Sequence, residues 1–174
     1  MLITKIIGCL LVIISTTGMG MFFSNELRCR IEDLKELKKL ILLLRGDIRY
    51  ANTPLPEAIS GIARRHNGGY ETFLSKVSSK LNELSGITFS QIWKEAVEQE
   101  LTKTSLTKKD KLHLVQFGES LGYLDKDMQM NTLDLYINQL EDETLELSKT
   151  VKEKAYLLNS LGIMAGIFIS IIML

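Results

Sequence analysis

The sequence predicts an all-α protein, a helical bundle of about six helices lying between N- and C-terminal transmembrane helices. Three observations predict it. Apolar residues recur at steps of three and four through the middle of the chain, and strand-like alternation never persists beyond about five residues. Caps and breakers punctuate that pattern at helix-length intervals. The charges are also confined: of 21 basic and 21 acidic side chains, only Lys5 falls outside residues 24–154. The net charge of zero gives no electrostatic reason to expect a nucleic-acid partner.

Residues 6–23 and 155–174 are uncharged runs without proline. At 1.5 Å per residue each reaches about 27–30 Å, close to the hydrocarbon thickness of a bilayer. Ser15, Thr16, Thr17, Ser160 and Ser170 can bond back to helix carbonyls, so they do not oppose insertion. Met21, Phe22 and Phe23 continue the first run past Gly18 and Gly20, which favours an uncleaved span over a signal peptide. Arg28, Arg30, Lys35, Lys38 and Lys39 follow the first span, and Lys149, Lys152 and Lys154 precede the second. By the positive-inside rule the chain then has a short extracytoplasmic N-terminus (1–5), a first span (6–23), a cytoplasmic helical bundle (24–154) and a second span (155–174). Cys9 and Cys29 suggest no disulfide framework, and Cys29 is expected as a free juxtamembrane thiol.

The first helix runs on from the span to about Tyr50, with Leu27, Ile31, Leu34, Leu37, Ile41, Leu44 and Ile48 as its apolar seam. Asn52, Thr53 and Pro54 end it. A short helix over 56–66 buries Ala58, Ile59, Ile62 and Ala63 before Asn67-Gly68-Gly69 stops it. A third, about 70–84, carries Phe73, Leu74, Val77, Leu81 and Leu84. Thr88 with Gln91 is a capping box for a fourth, whose core face is Phe89, Ile92, Trp93, Ala96, Val97 and Leu101. Thr107 with Asp110 repeats the signature for a fifth, assigned Leu112, Val115 and Leu121 as its apolar residues, with Phe117 nearby. Gly122 ends it and Asp125 caps the sixth. Leu133, Ile137, Leu140, Thr144, Leu147 and Val151 give the sixth a heptad seam. The matching seams of the first and last helices predict their antiparallel pairing as a stalk.

No phosphate-binding, dinucleotide-binding, zinc or nucleophile-elbow motif is present. His66 falls at a helix end, where its charge would favour the dipole, and His113, between Leu112 and Leu114, is expected to edge the core. No metal, cofactor or catalytic residue is assigned, and the chain is read as a non-enzyme. Gly162 and Gly166 form a Gly-x-x-x-Gly pair for transmembrane packing against the first span or another subunit. Glu141, Asp142, Glu143 and Glu146 form a solvated acidic face. In Phe117-Gly118-Glu119-Ser120-Leu121-Gly122-Tyr123-Leu124, Gly118 would admit a neighbouring backbone and Gly122 would take a left-handed cap. Glu119 would hold backbone amides in the turn.

That last segment resembles the Gly-Glu-x-x-Gly-x-Leu signature of the type II secretion F-type domain. Thr53-Pro54-Leu55-Pro56-Glu57-Ala58 resembles the family's Pro-Leu-x-Glu-Ala helix start, and Leu81 through Trp93 its Leu-x3-Gly-x-Ser/Thr connection. Platform proteins of that family usually carry two such domains and three spans; one domain between two spans is similar instead to the stage III sporulation protein AB family. Asp47-Ile48-Arg49-Tyr50 and Ser160-Leu161-Gly162 match it too. Where relatives often have Glu-x-Glu-Ile-x-Tyr, this chain has Arg45-Gly46-Asp47-Ile48-Arg49-Tyr50, and Gly46 would soften the first helix.

The resemblance implies a scaffold in the mother-cell membrane, part of a secretion-like channel to the forespore. Its implied partners are a hexameric secretion-type ATPase and ring-forming membrane proteins. Pro54, Leu55, Glu57, Ala58, Gly118, Glu119 and Gly122 are then either a partner-binding surface or corners of the fold. The competing reading is a membrane-bound coiled-coil adaptor that recruits a cytoplasmic regulatory partner.

Overall fold

The computed structural model describes the backbone of residues 2–83, 86–122 and 125–173, and within those stretches the side chains of 25–154 and Leu157. Among the described residues it is an all-α bundle of six helices: α1 (Leu2–Tyr50), α2 (Leu55–Arg65), α3 (Glu71–Asn82), α4 (Phe89–Glu100), α5 (Lys108–Leu121) and α6 (Lys126–Met173), with a 3-10 turn at Leu101–Lys103. The chain forms two compact units, Glu32–Thr144 and a second made of Met1–Ile31 with Leu145–Leu174. In the second, the backbone of 6–23 and 155–173 is helical. Among the described residues no helix is long and apolar enough to cross a membrane. The side chains of both expected spans, and with them the Gly162–Gly166 pair, lie outside the described residues.

Within the Glu32–Thr144 unit, Leu34, Leu37, Ile41, Leu44 and Ile48 are buried, and Leu40 with them. Leu133, Ile137, Leu140 and Thr144 of α6 are buried likewise, and Thr144 satisfies its hydroxyl on the Leu140 carbonyl at 2.6 Å. Two ion pairs fix the relation of these helices: Lys38 Nζ lies 3.1 Å from Glu141 Oε2, and Arg45 Nε 2.6 Å from Asp134 Oδ1. A step of seven residues along α1 is answered by seven back along α6, so the two run antiparallel as their seams predict. α5 is antiparallel to α6 by the same test, since His113 Nδ1 lies 2.6 Å from Gln139 Nε2 and Lys109 Nζ 4.0 Å from Glu143 Oε2.

The short helices begin where their caps require. Thr88 and Thr107 each accept from the backbone N–H three residues on, and Gln91 and Asp110 reach back to the cap N–H. Asp110 is itself buried and accepts from Thr107 N at 2.8 Å and Oγ1 at 2.7 Å. Asp125 Oδ1 accepts from Met128 N at 2.9 Å and opens α6. α2 and α3 differ from expectation by one or two residues, and Leu84 lies outside the described residues.

An aromatic chain crosses the core. The ring of Phe73 on α3 meets Trp93 on α4 at 4.9 Å, Trp93 meets Phe117 on α5 at 5.9 Å, and Phe117 stacks on Tyr136 of α6 at 4.5 Å. Each such pair adds about 0.5–1.5 kcal/mol beyond its burial. Tyr70 is fully buried and donates its hydroxyl to the Asp33 carbonyl at 2.9 Å, while Asp33 Oδ2 accepts from Ser105 N at 2.5 Å. One residue of α1 thereby anchors α3 and the segment before α5.

The fifth helix presents a different face from the one assigned by sequence. Leu114, Phe117, Gly118 and Leu121 are buried, Val115 is half-buried and Leu112 is 56% exposed. Leu112 lies two positions before Leu114, about 200° around the helix, so the two cannot share a face. The buried stripe contains a glycine and an aspartate, which hides it from a count of large apolar residues.

Candidate docking surface

The seven residues singled out by motif lie at two corners. At the first, Asn52 takes a left-handed φ of 52°, a conformation asparagine tolerates better than most residues. Thr53 N donates to the Asp47 carbonyl at 3.1 Å, which closes the end of α1. Pro54, with φ −58° and ψ 147°, caps α2, and its carbonyl accepts from Ala58 N at 2.9 Å. Glu57 is exposed in the first turn, where its charge favours the helix dipole. Leu55 is half-buried and Ala58 buried. Arg65 Nη2 reaches Asp47 Oδ2 at 2.9 Å and ties the end of α2 back to α1.

At the second corner the structure corrects the detail of the glycine motif. A Cβ on Gly118 would stand 2.0 Å from Trp93 Cδ1, so it is an indole ring, not a backbone, that occupies the space. The indole Nε1 donates to the Leu114 carbonyl one turn earlier, at 2.8 Å. Gly122 is in the ordinary right-handed region, φ −72° and ψ −19°, rather than a left-handed cap. A Cβ there would meet Phe89 Cδ1 at 3.0 Å, so close packing is the demand on this position. Glu119 is exposed within α5 rather than held in a turn. Tyr123 and Leu124 lie outside the described residues.

One hydrogen bond links the turns that flank the two corners. Lys126 Nζ donates to Asn52 Oδ1, joining the start of α6 to the turn before Pro54. Gln129 Nε2 donates to the Leu121 carbonyl at 3.2 Å, holding the α5–α6 corner closed. Pro54, Glu57, Glu119 and Gly122 reach solvent, while Ala58 and Gly118 lie inside. Tyr50, at the end of α1, is 81% exposed with the Arg49 guanidinium 5.6 Å from its ring centre, and Met128 is 54% exposed. Sequence reasoning left both out of the site, because neither belongs to a seam or a cap.

His66 Nε2, at the end of α2, lies 2.9 Å from Glu36 Oε1 of α1 without the geometry of a hydrogen bond. Burial, reinforced by the Asp33 charge, pushes the Tyr70 phenol well above its ordinary value, and burial beside Asp110 does the same to Tyr136. Hydrogen bonding from Lys80 holds Glu95 below the usual carboxylate value. Among the described residues no group of three His, Cys, Asp or Glu side chains could hold a metal ion.

The fold thus defines a class: a six-helix, all-α bundle whose recognisable motifs sit at its corners rather than around a cleft. The chain belongs to the stage III sporulation protein AB family, whose model matches residues 5–174. The Stage III sporulation protein AB of Bacillus subtilis (strain 168) is 25% identical over 170 residues, which covers 98% of this chain and 99% of that protein. A solved structure of Stage III sporulation protein AB (SpoIIIAB) superposes with a TM-score of 0.64 at 26% identity, covering 71% of this chain and 97% of the other.

Proposed function

We propose that this protein is a non-enzymatic, membrane-anchored platform component of a secretion-like channel between mother cell and forespore, required for endospore formation. Two apolar helices, residues 6–23 and 155–174, anchor it in the mother-cell membrane facing the forespore, with the bundle in the cytoplasm. The joined corners dock a hexameric secretion-type ATPase or the ring-forming membrane proteins of the channel. Family membership supports the role in sporulation. The observation that carries the docking reading is the Asn52–Lys126 hydrogen bond, which links the turns flanking two motifs about 60 residues apart.

A photo-crosslinking residue at Glu119, exposed at the second corner, tests this in sporulating cells. Adducts with a secretion-type ATPase or ring proteins are the expected result. Adducts confined to other cytoplasmic proteins would favour the adaptor instead.

A further inference from the structure

The core stripes of α1 and α6 leave their opposite faces to solvent. A residue two positions past a core position is rotated about 200°, and so points outward. Lys39, Leu43 and Tyr50 stand in that relation to Leu37, Ile41 and Ile48, as Leu135 and Asp142 do to Leu133 and Leu140. All five are exposed, Leu43 by 45% and Leu135 by 71%, and so is Met128. Exposed apolar side chains recurring at seven-residue intervals on neighbouring helices mark an interaction surface rather than scattered surface residues. The charges separate as well. Between 32 and 50 the exposed charged residues of α1 are Lys35, Lys39 and Arg49, basic, with Glu32 at the far end; between 126 and 144 those of α6 are Asp127, Glu141 and Asp142, with Lys126 tied to Asn52.

We propose that this two-helix face is a self-association surface, occupied by a second copy of the chain about a two-fold axis parallel to α1 and α6. Such an axis sets α1 opposite the second copy's α6 and moves no residue along the helices. Heights within one copy therefore decide which residues meet between copies. The ion pairs put Lys38 level with Glu141 and Arg45 level with Asp134. Continuing that register puts Leu43 level with Tyr136, Tyr50 level with Gln129 and Lys39 level with Leu140. Leu43 then faces Leu135 of the second copy and Tyr50 faces its Met128. Lys39 comes within about one helical turn of Asp142 of the second copy. Apolar groups meet apolar groups at two levels, and opposite charges meet at the third. An axis across the helices would instead bring α1 onto α1, basic on basic. The parallel axis is also the one that two chains inserted in a single membrane obey.

The test is disulfide formation between full-length chains in membranes, with Cys9→Ser and Cys29→Ser in all of them. One chain carries Leu43→Cys, the other Leu135→Cys, and they bear tags of different size. Oxidation is expected to give the mixed pair well above either like pair. Lys39→Glu in one chain should lower its yield about tenfold, and Asp142→Lys in the other chain should restore it. Circular dichroism confirms that each variant is folded. Like-with-like Leu43→Cys disulfides in place of the mixed pair, no disulfide between folded chains, or a yield indifferent to Lys39→Glu would overturn the proposal.

Discussion

The indole of Trp93 lies flat across Gly118, with its Nε1 donating to the Leu114 carbonyl at 2.8 Å. Only the absent Cβ lets a ring from α4 reach a carbonyl within α5. The glycine that reads as a family signature is thereby a socket for the core, and Trp93 links Phe73 to Phe117 through it.

Gly118→Ala should therefore destabilise the protein even though alanine favours helix by about 1 kcal/mol. The methyl group cannot fit without moving the indole and breaking its hydrogen bond. A net loss of about 1–3 kcal/mol is expected from denaturant unfolding of the full chain in detergent. Adding Trp93→Phe should recover part of that loss, because the pair is coupled.

The two threonine caps are separable from the core. Thr88→Ala should cost about 1 kcal/mol in the same assay, the usual price of a lost cap. Asp110→Ala should cost more, since it also strips the Thr107 N–H and hydroxyl of their acceptor inside the bundle. Equal losses at the two sites would contradict the burial seen at Asp110.

Stability should fall in alkali. The folded state keeps Tyr70 and Tyr136 protonated above the ordinary tyrosine value, so their contribution is complete below about pH 10 and declines as the pH rises through it. Each tyrosine contributes a slope of up to about 1.4 kcal/mol per pH unit. Urea midpoints between pH 8 and 11 measure it. Tyr70→Phe should reduce the slope, and at neutral pH should cost about 1 kcal/mol for the lost bond to Asp33.

Docking at the joined corners separates from folding at Glu119. Glu119→Lys changes only an exposed helix position, so its unfolding free energy should stay within about 0.5 kcal/mol of the parent. Counts of heat-resistant spores should fall nonetheless. Unchanged counts, with Gly118→Ala lowering both stability and spores, would assign the motif to the fold alone.

The helix seams were legible because Leu34, Leu37, Ile41 and their α6 counterparts are large, apolar and regularly spaced. The capping boxes at Thr88 and Thr107 were legible because they rest on contacts three residues apart. The face of α5 was not, because Gly118 is buried against Trp93, distant in sequence, and because Asp110 is buried although its cap bonds to Thr107 are local. The same holds for the candidate site. Pro54 and Gly122 could be read as corners, but their union through Asn52 and Lys126 spans 74 residues. Met128 carries no pattern of its own, and Tyr50 only its place in the Asp47–Tyr50 motif, until the helices that hold them are set side by side.

The antiparallel pairing of α1 with α6 has a consequence in time. The partner of the first helix is the last to be made: Lys38 leaves the ribosome about a hundred residues before Glu141, roughly 5–20 seconds at ordinary rates of synthesis. Through that interval the seam from Leu34 to Ile48 has only the short middle helices to cover it. The nascent chain must therefore either assemble α2 to α5 against α1 as they emerge or hold an apolar helix open to chaperones until α6 follows.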